Sequence, residues 1–161
     1  MNFPYPIKDN SIDIIYLRNV IEHFKLSSIL KIMRECSRVL NTEGQLIITV
    51  PHVLSLAAFT DITHKSYFTF GSGYFWNLNN PKAYYKELDA IWTLMHIKCK
   101  VTWFDWKRPR LKIIDRYLST IMEKRINRAL LNINNPSLAD RLVKKYAFQF
   151  VEISWTFQKA Y

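Results

Sequence analysis

Glycine is scarce in this chain. The three present, Gly44, Gly71 and Gly73, form no G-x-G-x-x-G and none carries a strand into a helix. With six prolines and two cysteines besides, collagen-like, low-complexity and disulfide-scaffold architectures are excluded. Cys36 and Cys99 stand alone without a C-x-x-C, so a zinc site is not expected, and a reduced compartment is. No apolar run approaches the ~20 residues of a membrane span. The start, Met1-Asn2-Phe3-Pro4-Tyr5-Pro6, has neither the basic opening nor the apolar stretch of a signal peptide. These absences together predict a soluble, cytoplasmic protein.

What is present is globular: 49% hydrophobic, 15% aromatic and 22% charged residues over 161 positions, enough for one domain with a real core. The net charge of +10 is lopsided. Residues 1–80 carry seven Lys/Arg against six Asp/Glu, and residues 81–161 carry sixteen against seven. Any electrostatic partner should therefore meet the C-terminal half.

Ile12-Asp13-Ile14-Ile15-Tyr16-Leu17 is short, β-branched and almost continuously apolar, the pattern of a strand covered on both faces. Ser27 or Ser28 is a candidate cap for a helix running to about Leu40. Ile29, Met33, Cys36 and Leu40 mark its apolar face, while Lys31, Arg34, Glu35 and Arg38 fall on others. Asn41-Thr42-Glu43-Gly44 should stop that helix, with Gly44 left-handed. Gln45–Val50 reads as a second buried strand closed by Pro51, completing a βαβ unit. Residues 52–76 read as loop with short helical pieces, and Pro81 to about Trp92 as helix. Met95 to Trp106 alternates as a strand, with Ile97, Cys99, Val101 and Trp103 inward. Leu111–Leu131 is a long amphipathic helix with Ile114, Leu118, Ile121, Met122 and Ile126 on its apolar side. Ala147–Gln158 alternates as a last strand.

Four segments in order, with a fifth that adds a finer signal, carry a family resemblance. Phe3-Pro4-Tyr5-Pro6-Ile7-Lys8-Asp9-Asn10-Ser11-Ile12-Asp13 and Val20-Ile21-Glu22-His23 resemble the P-x-x-D-N-S-F-D and V-L-E-H segments around the fourth strand of class I S-adenosylmethionine-dependent methyltransferases. Arg34-Glu35-Cys36-Ser37-Arg38-Val39-Leu40 is similar to that family's E-x-x-R-V-L, with Asn41-Thr42-Glu43-Gly44 in place of K-P-G-G. Gln45–Pro51 resembles the fifth strand. Asp61-Ile62-Thr63-His64-Lys65-Ser66-Tyr67-Phe68-Thr69 resembles the D-P-T-H-K-R-x-F-T of small methyltransferases associated with cell-surface polysaccharide and glycan pathways, with Ile62 in place of proline.

The resemblance implies a partial Rossmann-like α/β fold, strands four to seven with their helices, and S-adenosylmethionine as cofactor. The family's first three strands, its glycine-rich turn and the acidic residue that holds the ribose have no counterpart here. The expectation is a single truncated domain over 1–161, inactive alone, with Ile12–Leu17 left as a bare edge for an N-terminal half or a partner chain to complete. In the family, the position of Arg18 and Asn19 touches the cofactor, and Glu22-His23 lines the cleft. Asn19 also reads as a simple turn residue, and His23 as a packing or capping one. Asp61, His64 and Tyr67 lie where the acceptor would be covered. His64 suits a general base for a hydroxyl or protonated amine, although a loop histidine bonded to backbone explains it too. His52 and His96 look incidental.

Residues 107–136 form a basic amphipathic helical insertion, with Lys107, Arg108, Arg110, Lys112, Arg116, Lys124, Arg125 and Arg128 against Asp115 and Glu123. It reads either as a solvated face over an apolar side packed on the sheet, or as a surface for anionic lipid or nucleic acid. Two functions follow: the acceptor-side half of a methyltransferase for a glycan or other small molecule, or a non-enzymatic module binding through the basic helix.

Overall fold

A computed structural model describes residues 4–78, 92–102, 111–131, 137–146 and 150–160. Strand β1 (Ile12–Arg18) leads through a 3-10 turn (Ile21–His23) into helix α1 (Leu26–Val39) and strand β2 (Leu40–Pro51). A short helix α2 (Ala57–Thr60) and a 3-10 segment (Phe70–Trp76) follow, then β3 (Trp92–Thr102), α3 (Leu111–Leu130), α4 (Ser137–Tyr146) and β4 (Phe150–Lys159). The sheet runs β1-β2-β4-β3. β1 and β2 are parallel, and β4 enters antiparallel between β2 and β3.

One face of the sheet is the core. Leu46, Ile48 and Val50 of β2 pair with Phe157, Trp155 and Ile153 of β4, which pair in turn with Leu94, Ile97 and Cys99 of β3. All are buried, in one cluster with Ile29, Ile32, Met33 and Cys36 of α1. The alternation of Ile97, Cys99 and Val101 with exposed Lys98 and Lys100 places β3 as its pattern predicts. The Trp155 indole donates to the Phe70 carbonyl at 3.1 Å and lies so close under Gly73 that a Cβ there would sit 2.7 Å from the ring. Cys36 and Cys99 are free and buried, and desolvation pushes the Cys36 thiol up to about 12.

Several expectations change. β1 stands at the sheet edge among the described residues, as expected, but it is not covered on both faces: Ile14 and Tyr16 are 46% and 67% exposed. The face they share has no helix packed over it among the described residues, whereas Ile12, Ile15 and Leu17 face the core. Lys25, not a serine, caps α1 and makes no side-chain bond, because the chain leaves the 3-10 turn already extended. Glu35 is buried, drawn in by Arg38 at 2.6 Å and by the Tyr5 amide at 2.7 Å. Those contacts hold its carboxyl below the ordinary range.

Gly44 is not left-handed. Leu40 passes straight from helix to strand, and β2 uses five steps (Leu40 to Gln45) where β1 uses two (Ile12 to Ile14). In that bulge a Cβ on Gly44 would lie 2.9 Å from the Asn41 carbonyl oxygen, so close approach explains the glycine.

Trp92 opens β3, and the rest of the expected 81–92 helix lies outside the described residues. So do Trp103–Trp106 of the expected third strand and Ala147–Gln149 of the last. Within the expected basic insertion, α3 packs against β3 through Met122 and Ile126, while Ile121 is 37% exposed. Residues 107–110 and 132–136 are outside the described set. α4 was not expected at all. No helix among the described residues is long and apolar enough to cross a membrane.

Candidate active site

Asn19 turns the chain off the end of β1 with φ of 51°, a left-handed conformation that asparagine tolerates, and its amide donates to the Thr49 carbonyl at 2.9 Å. This tight exit drops Ile21 into the core and Glu22 just behind it. The loop after α2 then clamps onto the 3-10 turn. The amides of Lys65 and Ser66 donate to the Glu22 carbonyl oxygen at 2.7 and 3.0 Å, and the Ser66 hydroxyl donates to the Phe24 carbonyl at 2.7 Å.

The clamp brings two histidines together, with ring centroids 4.8 Å apart, edge to face. His64 Nδ1–H donates to the Ala58 carbonyl at 2.8 Å. The Thr63 hydroxyl donates to Asp61 Oδ1 at 2.7 Å, so His23 Nδ1, 2.7 Å from the same hydroxyl oxygen, must be the donor there. Both imidazoles therefore keep Nε2 free of those bonds. The Thr63 hydroxyl and amide hold the Asp61 carboxyl below its ordinary range. Glu22 is the opposite case: 1% exposed and with neither carboxylate oxygen hydrogen-bonded, it is pushed upward by desolvation.

These groups line a cavity of about 450 Å3 at the carboxyl ends of β1 and β2, formed by Arg18, Asn19, Glu22, His23, Pro51, Ala57, Asp61, His64, Lys100 and Glu152. Such a position is where open α/β sheets bind ligands. Arg18 reaches Glu152 at 3.9 Å.

A family model of methyltransferase domains matches residues 2–48. Among solved structures, a candidate methyltransferase of Bacillus halodurans aligns with 98% of this chain over 68% of its own, at 17% identity and TM-score 0.53. The YcgJ protein of Bacillus subtilis does so over 98% and 68%, at 18% identity and TM-score 0.51. This is a class I S-adenosylmethionine-dependent methyltransferase-like fold. A methyltransferase of Archaeoglobus fulgidus aligns with 95% of the chain at 13% identity and TM-score 0.48, and the chain spans only 62% of its length. No curated protein matches.

Within the methyltransferase-like fold, the sequence-expected Arg18, Asn19, His23, Asp61 and His64 all reach the one cavity. Tyr67 does not line it; 48% exposed, it stacks on Phe59 at 5.0 Å. Lys100 and Glu152 were missed because only the β3–β4 register, which pairs them, brings them in. Glu22 had a signal in its place beside His23. His52, expected to be incidental, is fully buried: Leu54 N–H donates to its Nδ1 at 3.1 Å, and its Nε2–H donates to Asp140 at 2.8 Å. It ties α4 to the end of β2 and leaves no ring nitrogen for chemistry.

Proposed function

We propose that the cleft is the acceptor side of a methyl-transfer site, with S-adenosylmethionine as donor and a hydroxyl of a glycan or other small molecule as acceptor. The observation that carries this reading is the meeting of Arg18, Asn19 and His23 with Asp61 and His64 at the carboxyl ends of the parallel strands. The residues present suit one side of the cofactor. The exposed Arg18 guanidinium matches its α-carboxylate, Asn19 offers a hydrogen bond, and Asp61 and Glu152 favour its cationic centres. When bound, the cofactor supplies an electrophilic methyl group.

Displacement at that carbon depends mainly on alignment, which the clamped loop provides. His64 is oriented by its bond to Ala58, so its Nε2 is the atom to take an acceptor proton. Ionised Asp61, with Oδ2 3.9 Å from that nitrogen, stabilises the imidazolium. The Tyr67–Phe59 stack offers an aromatic surface for the apolar side of a sugar.

The donor side is one-walled. The chain has no glycine-rich turn, and β1 presents Ile14 and Tyr16 at an edge without a second strand among the described residues. We assign that edge to a further strand, from an N-terminal half or a partner chain. Amide chemical shifts of the 161-residue chain should move with S-adenosylmethionine at the residues lining the cleft, Arg18–His23 foremost, with Kd near 1 mM. No shift at 10 mM cofactor, on the order of tenfold above that Kd, would remove the methyl-donor reading. A Kd below about 10 μM would remove the one-walled pocket.

A further inference from the structure

Methyl transfer leaves Glu22 unexplained. A carboxylate 1% exposed with both oxygens unpartnered is a costly arrangement unless something positive meets it. Two imidazoles face it. One Glu22 oxygen and one nitrogen from each of His23 and His64 all lie within 4.8 Å of one another. Each imidazole has its Nδ1–H committed, His64 to the Ala58 carbonyl and His23 to the Thr63 hydroxyl, which is itself tied to Asp61. The free atoms are thus two Nε2 lone pairs and a carboxylate. With both imidazoles neutral, neither Nε2 carries a proton, and a cation seated among the three would relieve the repulsion between an ionised carboxylate and two lone pairs.

We propose that Glu22, His23 and His64 form a binding site for a divalent first-row transition ion of the zinc class, with its remaining coordination positions open to the cleft. Two nitrogens and one oxygen suit such ions, whereas magnesium and calcium take all-oxygen sets. Three protein ligands with an open position is the layout of sites that exchange a ligand. Histidines that coordinate through one nitrogen are commonly held at the other by a carbonyl or a carboxylate relay, as both are here. Metal–ligand bonds of about 2.1 Å place tetrahedral ligand atoms about 3.4 Å apart, so binding draws the three side chains together by about an ångström. The lack of paired cysteines argued against zinc; these donors are of another kind.

The ion and the acceptor proton compete for His64 Nε2. In the loaded protein the ion, not the imidazole, would polarise an acceptor hydroxyl; this consequence alone rests on the methyl-transfer reading.

The test uses the full chain, stripped with chelator and titrated with Zn2+ against a chromophoric competitor, without cofactor. One ion per chain should bind with micromolar or tighter Kd. Glu22→Gln and His64→Ala should each weaken it by about 100-fold or more, while His96→Ala, on an exposed position of β3 away from the cluster, should not. Wild-type imidazole 15N spectra need no folded variant: zinc should shift Nε2 of His23 and His64 while both Nδ1 atoms stay protonated. No binding below about 1 mM, affinity unchanged in the Glu22→Gln and His64→Ala proteins, or unmoved Nε2 signals would overturn the proposal. Because no readout involves the methyl donor, its failure and that of the methyl-transfer reading are separable.

Discussion

Replacing Glu22 by glutamine isolates the cost of one buried charge. The amide keeps the shape of the side chain and removes the ionisation, in a place where neither oxygen finds a donor. An unsatisfied buried polar group costs about 1–3 kcal/mol, and more when charged. The sign follows from the raised carboxyl pKa. Folded protein keeps the Glu22 proton at pH values where the unfolded chain has released it. Its favourable contribution is therefore complete below the unfolded value of about 4.3 and is lost as pH rises through the folded one. Glu22→Gln should match the wild type near pH 4 and gain on it with pH, reaching about 1–2 kcal/mol of relative stability at pH 8. For a domain of this size that corresponds to about 2–4 °C in Tm per kcal/mol. Urea denaturation at several pH values, in chelator, measures it. A difference independent of pH, or a variant less stable than wild type at pH 8, would refute the reasoning. Added zinc should reverse the order by stabilising the wild type more than the weaker-binding variant.

Two further substitutions probe how the cleft is supported. Gly73→Ala forces a Cβ into the Trp155 indole and should cost about 1–3 kcal/mol, read as a lower urea midpoint with an unchanged slope. Asp140→Ala leaves the fully buried His52 Nε2–H and the Phe70 amide without their acceptor, and should cost about 2–4 kcal/mol. Hydrogen exchange at the Phe70 amide should quicken in the same variant.

The βαβ opening and the alternation in β3 were legible because they are local: each strand carries its own period. The apolar run of β1 was misread for an equally physical reason. Such a run shows a strand that tolerates cover on both faces, and Ile14 and Tyr16 show that tolerance is not cover. α4 escaped notice because it is only ten residues long, although Ser137-x-x-Asp140 after Pro136 resembles a helix start. His52 looked idle because its partner lies 88 positions further on. In the site, residues within one motif could be named from the sequence. Lys100 and Glu152 arrive from two other strands, and no spacing announces them.

The bulge ahead of Gly44 has a practical corollary. A strand shifted by one residue turns its side chains over, so a single insertion after Gly44 would send Leu46, Ile48 and Val50 to the wet side. Ahead of it, Thr42 and Glu43 already loop out of register and are exposed. The chain thus has a tolerant seam one residue wide of an intolerant one, and a short epitope or fluorophore tag threaded between Thr42 and Glu43 should leave the cleft at the other end of the sheet undisturbed.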